Sequence, residues 1–218
     1  MSAAVDFLRP ALRVAIEQLS LGISDAQVDA LLAYLALLQR WNAHYNLTAV
    51  REPEHMLTQH LADCLAVIGP LRREAGPAPT RLLDVGSGGG LPGVVIAILD
   101  PLADVTCVDT VGKKAAFVQQ VAGELRLLNL HAQHARVEQL KAEPFDIVTS
   151  RAFASLADFT RLTRQHLSAR GIWIAMKGKT PTEELAALPD WVTVFHVEQL
   201  QVPGMNAERC IVWMRPNH

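Results

Sequence analysis

Cysteine is scarce in this 218-residue chain, and the three present, Cys64, Cys107 and Cys210, are far apart and odd in number. That spacing gives neither a disulfide framework nor a zinc site, and it points to a reducing cytosol. Charge of one sign is lacking too: 20 Lys and Arg face 22 Asp and Glu, for a net charge of -2. No global basic field advertises nucleic acid, so any RNA contact must be a local patch. No run reaches the apolar length of a membrane span, so no membrane partner is expected. The N-terminal stretch MSAAVDFLRPALRVAIEQLS is broken by Asp6, Arg9, Arg13 and Glu17 and lacks the apolar centre of a signal peptide. These absences together describe a cytoplasmic protein with one sizeable core.

What is present divides into two parts. Residues 1–80 read as a helical extension. PALRVAIEQLS repeats apolar residues at helical spacing and stops at Gly22. SDAQVDALLAYLALLQRWNAHY opens on Ser24, a good N-cap. EPEHMLTQHLADCLAVIGP has Pro53 near its start and is predicted to end at Gly69-Pro70, with a linker over 71–80.

Residues 81–218 read as an α/β domain. RLLDV, DVTCVD, NLHAQHA, FDIVTS and GIWIAMK are strand-like and alternate with helical runs, which predicts a mainly parallel sheet with helices on both faces. WVTVFHVEQLQV and RCIVWM are separated only by PGMNAE. That is too short for a parallel crossover, so an antiparallel hairpin is expected.

The stretch LLDVGSGGGLPG places five glycines within the eight residues 86–93, between the first strand and a helix. Doubly wound folds bind ligands at that position. Gly88-Gly89-Gly90-Leu91-Pro92-Gly93 fits the dinucleotide pattern, with Asp109 about twenty residues on. Asp109 could accept from ribose hydroxyls of either a dinucleotide or S-adenosylmethionine. Asp84 separates the two: a carboxylate beside the loop would repel a pyrophosphate and suit the positive groups of S-adenosylmethionine. The alternative for Asp84 is a cap on the glycine turn.

LLDVGSGGGLPG resembles the first motif of class I S-adenosylmethionine-dependent methyltransferases. Together with WNAHYNLTAVREPEHMLTQHLADCL, VDTVGKKAAFVQQVAGEL, ARVEQL, FDIVTSRAFASL and AMKGK, it is similar to the bacterial 16S rRNA guanine-N7 methyltransferases. That family is also called glucose-inhibited division protein B. The likeness spans about 31–213 and implies a Rossmann-like, seven-stranded sheet with an antiparallel final strand. It implies S-adenosylmethionine as cofactor, held by Gly86, Leu91, Val137, Glu138 and Arg151, to which the residue reading adds Asp84, Gly88 and Asp109. It implies 16S rRNA, within the small ribosomal subunit or an assembly intermediate, as partner.

Guanine N7 bears no proton, so in-line methyl transfer needs no general base, only alignment and exclusion of water. No residue is therefore expected to be catalytic in the acid–base sense; Arg151 and Lys177 are positioning candidates. The sequence after the fourth strand, SRAFAS, has neither the Asn-Pro-Pro-Tyr type stretch of amino-group methyltransferases nor a cysteine for a covalent cytosine mechanism. Lys113, Arg136, Lys177, Lys179 and Arg209 are candidates for a basic rim on RNA, and Phe153 for stacking on a flipped base. The alternatives are solvated charges and a core aromatic. Trp41 and Tyr45 are expected to pack on the sheet domain, while Asn46, Arg51 and His60 are held open. His131 and His134 have ligand-like spacing but no third ligand in view, so no metal is expected. A methyltransferase acting on another RNA site or on a small molecule, a nicotinamide-dependent oxidoreductase and a non-catalytic ribosome-binding protein that senses the cofactor are the competing readings.

Overall fold

A computed structural model describes residues 5–151, 153 and 155–217. Both alanines of SRAFAS, Ala152 and Ala154, lie outside the described residues. The N-terminal helices are α1 (Arg9–Gln18), α2 (Asp25–Tyr45), α3 (Pro53–Met56) and α4 (Asp63–Ala75). The capping box at α2 follows from its first residues. Ser24 Oγ accepts the Gln27 amide at 3.3 Å, and the Gln27 side chain accepts the Ser24 amide at 3.0 Å. α3 and α4 are joined by a π-helical segment, Leu57–Ala62.

The sheet strands are β1 (Thr80–Val85), β2 (Ala103–Asp109), β3 (Leu130–His134), β4 (Phe145–Ser150), β5 (Leu167–Lys177), β6 (Val192–Leu200) and β7 (Arg209–Pro216). Their order is β3-β2-β1-β4-β5-β7-β6. β1 to β5 run parallel; β7 pairs antiparallel with both β5 and β6. Helices α5 (Gly93–Leu99), α6 (Gly112–Glu124) and α7 (Leu156–Thr163) provide crossovers, and a short α8 (Thr182–Ala186) follows β5. The alternating strands, the parallel sheet and the closing hairpin are as expected from the sequence.

Side chains alternate across each strand, so β1 serves two cores. Leu82 joins α1, α2, α4, α5 and α6 on one face, whereas Leu83 and Val85 face α7, Trp173 and Met214 on the other. The apolar stripes of the N-terminal helices are thus spent on the sheet's own core. Tyr34, fully buried, donates its hydroxyl to the Gly89 carbonyl at 2.7 Å and fastens α2 to the glycine loop. Trp41 packs on Phe117, with ring centroids 5.5 Å apart, while Tyr45 is 46 % exposed.

One boundary departs from expectation. The helix does not stop at Gly69-Pro70; α4 carries Pro70 inside it and continues to Ala75, leaving only 76–79 as a connection. Pro70 forfeits one backbone hydrogen bond. The helix persists because Leu65, Val67, Ile68 and Leu71 are buried against the sheet. The short α8 was not anticipated from the sequence.

Candidate active site

The carboxyl ends of the parallel strands carry three neighbouring cavities. The first, about 450 Å³, lies over β1, β2 and the turn after β3. Asp109, Val137 and Glu138 line it, with Gly86, Arg136 and Phe153. The second, about 180 Å³, lies in the glycine loop, between Gly86, Gly88 and Leu91 on one side and Leu38, Leu47 and Thr48 on the other. Gly86 and Lys114 line both, so the two cavities form one bent crevice. The third, about 310 Å³, lies over the ends of β4, β5 and the start of β7, and is lined by Arg151, Lys177, Arg209, His60, Asp63 and their neighbours. Arg151 lines the second and third cavities and stands at their boundary.

The glycine loop has a defined shape. Gly86, Gly88 and Gly90 have φ of +67°, +59° and +84°, which L-residues with side chains rarely adopt. At Gly86 a Cβ would meet nothing within 4 Å and would stand in the crevice itself. Asp109, 7 % exposed, holds the loop: Oδ2 accepts the Gly88 amide at 2.9 Å, and Oδ1 accepts the Val111 amide at 2.8 Å.

Asp84 lies elsewhere than expected. It is fully buried on the α5 side of β1, lines none of the three cavities, and Oδ2 accepts the Gly93 amide at 2.8 Å. It holds the last glycine of the loop at the start of α5, close to the cap on the glycine turn that was its alternative reading. Its burial raises the carboxyl to about 7, opposed by the Gly93 amide and Arg151. From that position Asp84 meets neither a pyrophosphate nor a sulfonium in these cavities and does not choose between the two cofactors.

The predicted basic rim splits. Arg136 and Phe153 line the crevice over β2 and β3, Phe153 with its ring 5.3 Å from that of Phe159. Lys113 is exposed and lines none of these cavities; its neighbour Lys114 faces the crevice instead. Lys177 and Arg209 share the third cavity with Arg151, and Lys179 is exposed beyond it. Lys177 Nζ sits 2.7 Å from Glu184 of α8, whose carboxylate also accepts the Leu156 amide at 2.8 Å. Asn46 caps α2 in the left-handed conformation and accepts from Arg51 at 3.2 Å, outside the cavities. His131 pairs with Asp104.

The sequence reading missed Asp63 and Thr48 and left His60 open. His60 Nε2 lies 2.7 Å from Thr48 Oγ1, and Nδ1 faces Arg151 at 3.5 Å. Nδ1 thus faces a guanidinium, which can only donate. Burial and then Arg151 push His60 down to about 4. The available signal for Asp63 was a carboxylate within the buried run HLADCLAVI.

A family model described as rRNA small subunit methyltransferase G matches residues 27–212. The chain belongs to this family. Among curated relatives, the ribosomal RNA small subunit methyltransferase G of Leptothrix cholodnii is 62 % identical over 208 residues, covering 95 % of each chain. That of Polaromonas naphthalenivorans is 55 % identical and covers 99 % of each. Solved structures at low identity share the class I methyltransferase fold. TrmN from Thermus thermophilus has a TM-score of 0.57 at 17 % identity, over 71 % of this chain and 49 % of its own. Coclaurine N-methyltransferase bound to N-methylheliamine and SAH has a TM-score of 0.56 at 12 % identity, over 90 % of this chain and 75 % of its own. Within this methyltransferase, no described helix is long and apolar enough to cross a membrane.

Proposed function

We propose that the chain methylates N7 of a guanine in 16S rRNA, within the small ribosomal subunit or an assembly intermediate, and takes the methyl group from S-adenosylmethionine in the cytoplasm. The observation that carries this reading is Arg151, one cation shared by the glycine-loop cavity and the cavity over β4, β5 and β7.

The crevice fits the cofactor. A side chain at Gly86 would fill it, and the bend at Gly86 and Lys114 suits a molecule with an amino-acid half and a nucleoside half. Asp109 is suited to ribose hydroxyls, Val137 to the flat face of a base and Glu138 to an amino group. Gly88, Leu91 and Arg151 would surround the other half, with the guanidinium available to a carboxylate. S-adenosylmethionine, when bound, supplies an electrophilic methyl on a sulfonium.

The rest of the chemistry is positioning. The N7 lone pair lies in the plane of guanine and carries no proton, so nothing has to accept one. His60, at about 4, is a weak proton acceptor, in keeping with that reading. Arg151, Lys177 and Arg209 give the third cavity a cationic wall suited to RNA phosphates. A net charge of -2 favours a folded ribonucleoprotein over free RNA as substrate. The names of the relatives point to the same substrate class.

Tritium-labelled S-adenosylmethionine and small subunits from cells lacking this protein provide the test. Label recovered as 7-methylguanosine is the expected result. Label in another nucleoside would overturn the target atom, and cofactor binding without transfer to subunits or their precursors would overturn the substrate.

A further inference from the structure

The three cations of the third cavity are accompanied by a carboxylate that pure phosphate attraction would not call for. Asp63 follows directly on the π-helical segment, and its side chain is only 4 % exposed. Its two oxygens are divided between two strands. Oδ2 lies 3.4 Å from Arg151 Nη1, just past the end of β4, and Oδ1 accepts Arg209 Nε at 3.0 Å, at the start of β7. Both arginines retain partial exposure, 25 % and 28 %, and both line the cavity. Arg151 Nη1 also reaches the Gln59 carbonyl at 3.3 Å, and Arg209 Nη1 donates to the Glu208 carbonyl at 2.8 Å. Each long side chain is therefore fixed at more than one point.

An acid behind a phosphate site weakens the attraction of that site for RNA. It also removes rotamer freedom from two flexible cations before the ligand arrives. We propose that Asp63 is a positioning residue: it sets the directions of Arg151 and Arg209 so that they form one anion clamp for an RNA phosphate next to the target base. This rests on the rRNA reading above. It gives the N-terminal helices a part in the reaction, since the residue that aligns the clamp comes from α4 and not from the sheet domain.

The charge effect and the positioning effect have opposite signs, which makes the idea testable. Asp63→Asn removes one negative charge beside the RNA. Charge alone would make subunits bind more tightly. Positioning makes kcat/KM for small subunits fall by at least about tenfold, with weaker subunit binding, while S-adenosylmethionine affinity by calorimetry falls by a clearly smaller factor, since Arg209 lines only the third cavity and Arg151 alone adjoins the cofactor crevice. Wild-type or raised kcat/KM would overturn the proposal, and so would a parallel loss of cofactor and subunit affinity, the mark of a merely structural role. Should Asp63→Asn fail to fold, Asp63→Glu keeps the charge and displaces the carboxylate by one methylene. The same fall, larger for subunits than for the cofactor, is expected, and wild-type turnover would sink the idea. Wild-type protein assayed alongside separates the two levels. If it methylates subunits while the variants match it, only the clamp is wrong; if it does not, the rRNA reading fails and the clamp with it.

Discussion

Asp109 Oδ2 accepts the Gly88 amide at 2.9 Å, so the end of β2 shapes the loop that follows β1. The two strands are parallel neighbours, with Val85 paired to Val108, and the carboxylate bridges the point where they release the chain.

Replacing Asp109 by Ala removes that bond and the one from Val111. Bonds to a charged acceptor are worth about 1.5–3 kcal/mol each when formed. We expect a stability loss of about 3 kcal/mol or more in urea titration and at least tenfold weaker S-adenosylmethionine binding. Unchanged cofactor affinity would show that the loop keeps its shape without the carboxylate.

Two glycine substitutions should separate. At Gly93 a Cβ would lie 2.4 Å from Cys107 Sγ and 2.9 Å from Asp84 Oδ2, in a wholly buried place. Gly93→Ala should cost about 1–3 kcal/mol through overpacking. At Gly123, inside α6, a Cβ meets nothing within 4 Å. Gly123→Ala should stabilise by about 0.5–1 kcal/mol, and a loss there would contradict the packing described.

Two buried groups pull stability in opposite directions with pH. Asp84 titrates at about 7 in the fold, well above a free carboxyl at 3.8. Its contribution is fully present below the unfolded value and is lost as pH rises through about 7. His60 titrates at about 4 in place of 6.5, so its contribution is present above the unfolded value and is lost as pH falls through about 4. Between these limits they partly cancel. Relative to wild type, Asp84→Asn should lose more Tm on going from neutral to mildly acid buffer, and His60→Gln should lose less. Parallel Tm profiles for all three proteins would refute both assignments.

Lys177→Ala should weaken small-subunit binding and lower the slope of log affinity against log salt by roughly 1, while cofactor affinity stays near wild type. Glu184 would keep its bond to the Leu156 amide, so α7 should stay capped. An unaltered salt slope would mean that Lys177 stays with Glu184 when subunits bind.

The strands were legible because β1, β2, β4 and β5 are short apolar runs between clear turn signals, and the parallel sheet follows from their alternation with helices; the strand order came only from the structure. Pro70 misled because a Gly-Pro pair is a local stop signal, and the burial that overrides it is tertiary. Asp84 misled for a related reason. A residue at a strand end can face either side of the sheet, and only the packing of α5 over Gly93 shows which. Asp109 was named from its spacing to the glycine loop, and Val137 and Glu138 from the resemblance, and all three line one cavity; Asp63 was not named, since its partners lie 88 and 146 residues away.

The π-helical segment Leu57–Ala62 ties one wall of the third cavity to residue count. An ordinary helix turns about 100° per residue, and a π segment is what a helix becomes when it absorbs one more. Deleting a single residue there would leave the length between Pro53 and Ala75 helical and the spectrum of the protein almost unaltered. The wide turn would tighten to an ordinary one, so the helix before the deletion would keep its direction relative to Asp63 while the face shown within the segment changed. The consequence falls on His60, which lies inside the segment 3.5 Å from Arg151 and owes its direction to the wide turn.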